Sequence, residues 1–132
     1  MAAPWSEGRL KAFVTSVLRS GTRRYPPKYE CLNEAYVGQR LNTKTNREGK
    51  HYLCALCEGE FPSKDVVVDH REPVVHPEHG FISWDVFIER LFCSKDNLQV
   101  LCIGCHKIKS YNESQQRKES NGSKKSNQDK KG

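Results

Sequence analysis

The sequence predicts an α+β protein in three parts. These are a basic helical extension over residues 1–50, a small cysteine-clamped core over 51–111, and a disordered basic tail over 112–132. Two kinds of local pattern predict the mixed class: apolar residues at helical spacing near the N-terminus and again around residue 88, and short β-branched runs between them. Composition predicts the division. All five histidines and five of the six cysteines fall in residues 51–111, while residues 112–132 contain no aromatic, aliphatic or cysteine side chain. With 132 residues, 36% hydrophobic and 9% aromatic, and a mean hydropathy of −0.79, the chain has room for one domain and a thin core. Something besides apolar burial must then hold the fold.

In chain order, Trp5, Leu10, Phe13, Val14, Val17 and Leu18 recur mostly at steps of three and four. With Ser6 as cap and Gly21 as stop they predict a helix over residues 6–20. Its apolar stripe should dock on the core and leave Arg9, Lys11 and Arg19 free or nearly so. Arg23-Arg24-Tyr25-Pro26-Pro27-Lys28-Tyr29 reads as extended around its prolines, followed by a helix over 30–41 and a basic turn over 42–50. In the core, residues 61–65 read as a turn and Val66-Val67-Val68-Asp69-His70 as a short strand. Trp84, Phe87, Ile88, Leu91 and Phe92 after Ser83 read as a helix acting as lid or brace, and Leu98-Gln99-Val100-Leu101 as a second strand. His106-Lys107-Ile108-Lys109-Ser110 opens a last helix. The tail, rich in Ser, Asn, Gln and Lys, is expected to be disordered.

The net charge of +6 is unevenly spread. Residues 1–50 hold ten basic and four acidic side chains, residues 51–111 six and nine, and residues 112–132 six and three. Positive charge therefore lies on the flanks, which points to a polyanionic partner held by the arms. Basic residues interleaved with tyrosines over 23–29 suit phosphate contact with base stacking, or a solvated linker. The longest apolar run, residues 52–57, is far short of the roughly 20 residues of a membrane helix. The N-terminus lacks the pattern of a secretory signal, so the expectation is a reducing cytoplasm and metal binding rather than disulfides.

Cys54-Ala-Leu-Cys57 and Cys102-Ile-Gly-Cys105 are two C-x2-C pairs separated by 44 residues. Two thiolates at that spacing can face one ion, and two such pairs complete a tetrahedral Zn²⁺ site. Four thiolates leave no position for water, so this zinc is expected to be structural. Cys31 and Cys93, in helical and partly apolar surroundings, read as buried small hydrophobes. His51 could compete as a ligand, but four cysteines suffice.

Three motifs then stand in order: Val68-Asp69-His70-x-x-Pro73, Asn97-Leu98-Gln99-x-Leu101 and Cys102-x-x-Cys105-His106, with Cys54-x-x-Cys57 upstream. This arrangement resembles the HNH endonuclease family in its zinc-containing ββα-metal, treble-clef-like form. The basic N-terminal helix with its Arg-Arg-Tyr-Pro-Pro-Lys-Tyr also looks like the leader of small phage and prophage members. The resemblance implies hydrolysis of DNA phosphodiester bonds, by nicking or double-strand cleavage, to 5′ phosphate and 3′ hydroxyl ends. It implies His70 as general base and Asn97 as the residue that bridges the loop and orients that base. Asp69 and His106 would hold one catalytic divalent ion, Mg²⁺ or another such as Mn²⁺ or Ni²⁺. It also suggests a phage packaging terminase as partner and the bacterial host cytoplasm as location, with a monomer favoured.

The residue chemistry agrees with those roles. A hard carboxylate oxygen and an imidazole nitrogen can share one ion with positions left for water and phosphate. Neutral imidazole can accept a proton from water at cellular pH. Some family members carry a further histidine four residues after the metal histidine, where this chain has Ser110, so water would fill that position. His76 and His79 fall in a surface loop, where either could add a ligand or protonate a leaving group. Arg23, Arg24, Lys107 and Lys109 are the expected phosphate contacts, with a solvated helix face the alternative for the lysines. The rival reading is a zinc treble-clef module that binds nucleic acid without cleaving it.

Overall fold

The structure, a computed structural model, describes residues 4–129, with side chains through residue 120. Ser6 opens α1 (Glu7–Gly21) as expected, its hydroxyl accepting a hydrogen bond from the Arg9 amide at 3.3 Å. No α1 residue is buried, and Leu10, Phe13 and Val17 face solvent, which corrects the expected docking of the whole stripe. Leu18 packs against the core instead. Two of the cations expected to be free or nearly so lie over rings, Lys11 Nζ 3.8 Å from the centre of Phe81 and the Arg19 guanidinium 5.6 Å from that of Phe87.

The expected extended segment over 23–29 is also corrected. A single 3₁₀ turn (Thr22–Arg24) leads into α2 (Pro26–Ala35), with both prolines in the first helical turn, where a missing N–H breaks no intrahelical bond. Nor does a helix run to residue 41. Residues beyond α2 form β1 (Tyr36–Asn42), which folds back on β2 (Arg47–Leu53). Gly38, at φ +120°, carries a bulge in the pairing, a conformation a helix cannot absorb. At the turn the Asn42 side chain accepts from the Lys44 amide at 3.0 Å, and Asn46 takes the left-handed conformation at φ +58°. The basic segment is therefore a hairpin, and the boundary drawn at residue 50 falls inside β2.

β3 (Glu60–Pro62) completes a sheet of order β1-β2-β3. After a 3₁₀ turn (Ser63–Asp65), β4 (Val66–His70) pairs antiparallel with β5 (Leu98–Cys102), placing Asp69 opposite Gln99 and His70 opposite Leu98. Between these strands α3 (Trp84–Leu91) is capped by Ser83, which accepts from the Val86 amide at 3.2 Å. α4 (Ile103–Asp129) follows β5 directly and packs on both strands. The expectation of a disordered tail is corrected over residues 112–129, which continue α4; residues 130–132 lie outside the described residues. The segment 113–119 is rich in Glu, Gln, Arg and Lys, good helix formers, and Lys109 pairs with Glu113 one turn on at 2.7 Å. Ser120 Oγ also donates to the Glu78 carbonyl at 3.0 Å, tying the helix to the loop before α3.

The core is thin, as the composition implies, and divided. Cys31, Tyr52, Leu98 and Val100 join α2, β2 and β5; Val74, Phe87 and Leu91 lie under α3; Cys54, Leu101 and Cys102 form the third cluster. Among the described residues no helix is long and apolar enough to cross a membrane.

Candidate metal centre and polar site

The four cysteines at 54, 57, 102 and 105 converge, with their sulfurs within 4.8 Å of one another. The first pair sits on a tight turn. The Cys54 amide donates to the Gly59 carbonyl at 2.9 Å, the Ala55 amide to Val100 at 2.8 Å, and Glu58 takes φ +61°. At Gly59 a Cβ would stand 2.8 Å from the Phe61 ring, so any larger residue would force that ring to shift. The second pair spans the start of α4, where the Cys105 amide donates to Cys102 Sγ at 3.4 Å.

This set fits a metal such as zinc. Sulfurs tetrahedral about Zn²⁺ at about 2.3 Å lie about 3.8 Å apart, and Cys57 Sγ to Cys102 Sγ is 3.9 Å. Burial pushes the Cys54 thiol up, but amides of Cys102, Cys57 and Leu56 outweigh it and hold the group at about 6. Cys57 and Cys105 move the other way. Cys105 is pushed up to about 12 by its hydrogen bond with Cys102, with burial adding to it. Four thiolates this close need a cation among them. His51 is no part of the convergent group, and its Nδ1 bonds the Gly49 carbonyl at 2.9 Å. Cys31 is buried in the core and Cys93 half-buried, both away from the four.

A second site forms where β4, β5 and α4 meet. Asp69 and His106, far apart in sequence, come together with Oδ1 and Nε2 3.7 Å apart. Two donors at about 2.1 Å from a shared ion lie about 3.0–3.6 Å apart at angles of 90–120°. The pair therefore fits a divalent ion with a small adjustment. Asp69 is 14% exposed at its side chain and His106 39%, so the open side of the pair is that of the imidazole.

His70 follows Asp69 and points elsewhere. Its Nε2 lies 2.9 Å from the Leu91 carbonyl at the end of α3. A carbonyl can only accept, so Nε2 carries the proton and the neutral ring keeps its lone pair on Nδ1. Asn97 bridges the loop after β4. Its Oδ1 accepts from the Glu72 amide at 3.0 Å, its Nδ2 donates to the Glu72 carbonyl at 3.4 Å, and its own carbonyl accepts from the Arg71 amide at 2.7 Å. Beside this loop a cleft of about 350 Å³ opens between Arg71, Glu72, His76, Arg90 and Glu113.

The other expected residues are distributed as follows. Arg23, Arg24 and Lys107 are exposed. Lys109, expected to reach phosphate, turns inward instead. Its Nζ donates to Asp69 Oδ2 at 2.9 Å, Glu113 Oε1 at 2.7 Å and the His70 carbonyl at 2.9 Å. Burial pulls the Lys109 ammonium down, but its bonds to Glu113 and Asp69 outweigh that and hold it above the usual lysine range. Ser110 is exposed. His76 and His79 stack at 4.4 Å in a group with Glu78. His76 Nδ1 accepts from the Glu78 and His79 amides at 3.1 and 3.3 Å, so this nitrogen serves as the loop's cap.

Two site residues escaped the sequence reading. Gln99 is 6% exposed, donates to Asp69 Oδ2 at 3.3 Å, and accepts from Arg71 at 3.4 Å. The signal was a lone amide in an otherwise apolar strand. Glu113 was legible as the partner four residues beyond Lys109. No family model, curated protein or solved structure matches the chain.

Proposed function

We propose that this chain is a metal-dependent endonuclease of the HNH kind that hydrolyses phosphodiester bonds of DNA. The observation that carries the reading is the 3.7 Å approach of Asp69 Oδ1 to His106 Nε2, beside a histidine whose Nδ1 is left as an acceptor. Asp69 and His106 would hold one divalent ion, Mg²⁺, Mn²⁺ or Ni²⁺. Once bound, it would polarise the scissile phosphate and stabilise charge on the leaving 3′ oxygen. His70 Nδ1 takes a proton from a water, whose oxygen attacks phosphorus. The bond from phosphorus to the 3′ oxygen breaks, leaving a 5′ phosphate, and the 3′ oxygen gains its proton from solvent. Leu91 and Asn97 act through position, the first by fixing the imidazole tautomer and the second by holding the loop that follows it.

Cys54, Cys57, Cys102 and Cys105 would hold a structural Zn²⁺, tying the first knuckle to the start of the helix that presents His106. Arg23, Arg24 and Lys107, with the basic C-terminal residues, would hold the DNA backbone. The reading carries with it a monomer in the cytoplasm of a phage-infected bacterium, and a packaging terminase as protein partner.

A second reading, a zinc module that binds nucleic acid without cutting it, is favoured by the Lys109–Asp69 pair, which satisfies the carboxylate without a divalent ion. Supercoiled, linear and single-stranded DNA incubated with zinc-containing protein and a panel of divalent ions separates the two. The endonuclease reading expects nicked or linear plasmid in Mg²⁺, Mn²⁺ or Ni²⁺. Folded protein that binds DNA and leaves plasmid intact with every ion would establish the second.

A further inference from the structure

Lys109 is bound on all sides. An ammonium has three protons, and three oxygens receive them: Asp69 Oδ2 at 2.9 Å, Glu113 Oε1 at 2.7 Å and the His70 carbonyl at 2.9 Å. The three side chains are 19%, 14% and 20% exposed for Lys109, Asp69 and Glu113, so solvent screens the group weakly. Asp69 is divided as a result. Its Oδ2 takes Lys109 and Gln99, while Oδ1 faces His106.

We propose that Lys109 is a built-in cation that fills the place between Asp69 and Glu113 and so confines the divalent ion to Asp69 Oδ1 and His106. The inference rests on the endonuclease reading of that pair. Two carboxylates converging on one point form a cation site of their own, and here the chain supplies the cation. The lysine is a positioning residue. Through Asp69 it sets which oxygen an ion can use, and through the His70 carbonyl it ties down the strand end that carries the base.

Charge and position then pull metal affinity and rate in opposite directions. Removing Lys109 takes a positive charge away from the second oxygen of the ligand carboxylate and frees Glu113, so a divalent ion should bind more tightly and in the wrong place. Removing the Glu113 charge leaves the ammonium concentrated on Asp69, so binding should weaken. A merely structural role would weaken binding in both variants.

The test is calorimetric titration of the full chain with Mn²⁺, with zinc content and melting followed in parallel. Mn²⁺ is a hard ion that does not compete for a four-thiolate site. Lys109→Met should bind Mn²⁺ at least about tenfold more tightly than the parent, yet nick plasmid at saturating Mn²⁺ at least about tenfold more slowly. Lys109→Arg, which keeps the charge, should stay within about threefold of the parent in affinity, and Glu113→Gln should bind about threefold more weakly or worse. Unchanged or weaker binding in folded Lys109→Met overturns the proposal, as does a tighter Glu113→Gln; if Lys109→Met fails to fold, Lys109→Gln, which keeps hydrogen-bond donors without the charge, takes its place under the same criteria. Mn²⁺ binding to neither parent nor Lys109→Met overturns the endonuclease reading with it.

Discussion

His70 Nε2 donates to the Leu91 carbonyl at 2.9 Å, joining the end of β4 to the last residue of α3. The segment between the two strands is thus more than a brace. Phe87 and Leu91 are 2% exposed and anchor α3 against Val74, and the anchored helix end decides which nitrogen of His70 can accept a proton.

The four-cysteine cluster replaces core that the chain lacks. Cys57→Ser should lose zinc and cost about 5 kcal/mol or more, enough to unfold a small domain at room temperature. Elemental analysis and thermal melting check it. A variant with its melting temperature intact, from a parent that holds no zinc, would remove the structural metal from the account.

Tyr25 lies in the segment that suits base stacking or a solvated linker, but its hydroxyl donates to the Cys93 carbonyl at 2.7 Å and its ring meets Phe92 edge to face. Tyr25→Phe should therefore cost about 1 kcal/mol of stability and leave DNA affinity unchanged. Burial, with Cys93 and Glu30 nearby, holds the phenol above its usual 10.0. The neutral phenol's contribution is full below pH 10.0 and is lost as pH rises through the folded-state value. Denaturant unfolding between pH 8 and 11 should show a smaller alkaline loss in the variant than in the parent.

Asn97 holds the Arg71-Glu72 loop through three hydrogen bonds, two of them from its side chain. Asn97→Ala should slow cleavage about tenfold at a stability cost of about 1 kcal/mol. Asn97→Asp, which keeps the acceptor for the Glu72 amide, should recover most of the stability. Equal stability loss in both variants would show that the bond to the Glu72 amide contributes nothing.

The helical course of residues 112–120 changes where the basic tail should be cut. Glu113 bonds Lys109 and Ser120 bonds Glu78, so truncation belongs after residue 120. Residues 121–132 still carry four lysines against one aspartate. Removing them should weaken DNA binding and flatten its salt dependence by up to about 3 in log–log slope, with cleavage chemistry intact at saturating DNA. An unchanged slope would assign DNA attraction to other residues.

What was legible in the sequence was local chemistry at fixed spacing. The two C-x2-C pairs, the Ser6 and Ser83 caps, the Val66–His70 strand and the Asp69-His70 step all read directly. Residues 36–41 misled because Tyr36, Val37 and Leu41 suit a helix face as well as an edge strand, and pairing with β2 decides between them. Lys109 on Asp69 and the Leu91 carbonyl on His70 were invisible for another reason. They are contacts between elements, and no spacing along the chain encodes a partner that the packing of α3 and α4 brings into reach.

The central claim is that His70 accepts the proton of the attacking water, and His70→Ala tests it most directly. Plasmid cleavage in Mg²⁺ or Mn²⁺ should fall at least about 100-fold, while zinc content and DNA affinity stay at parental values and melting shifts only by the one hydrogen bond to Leu91. A folded, zinc-containing His70→Ala protein that cleaves at the parental rate would contradict the account.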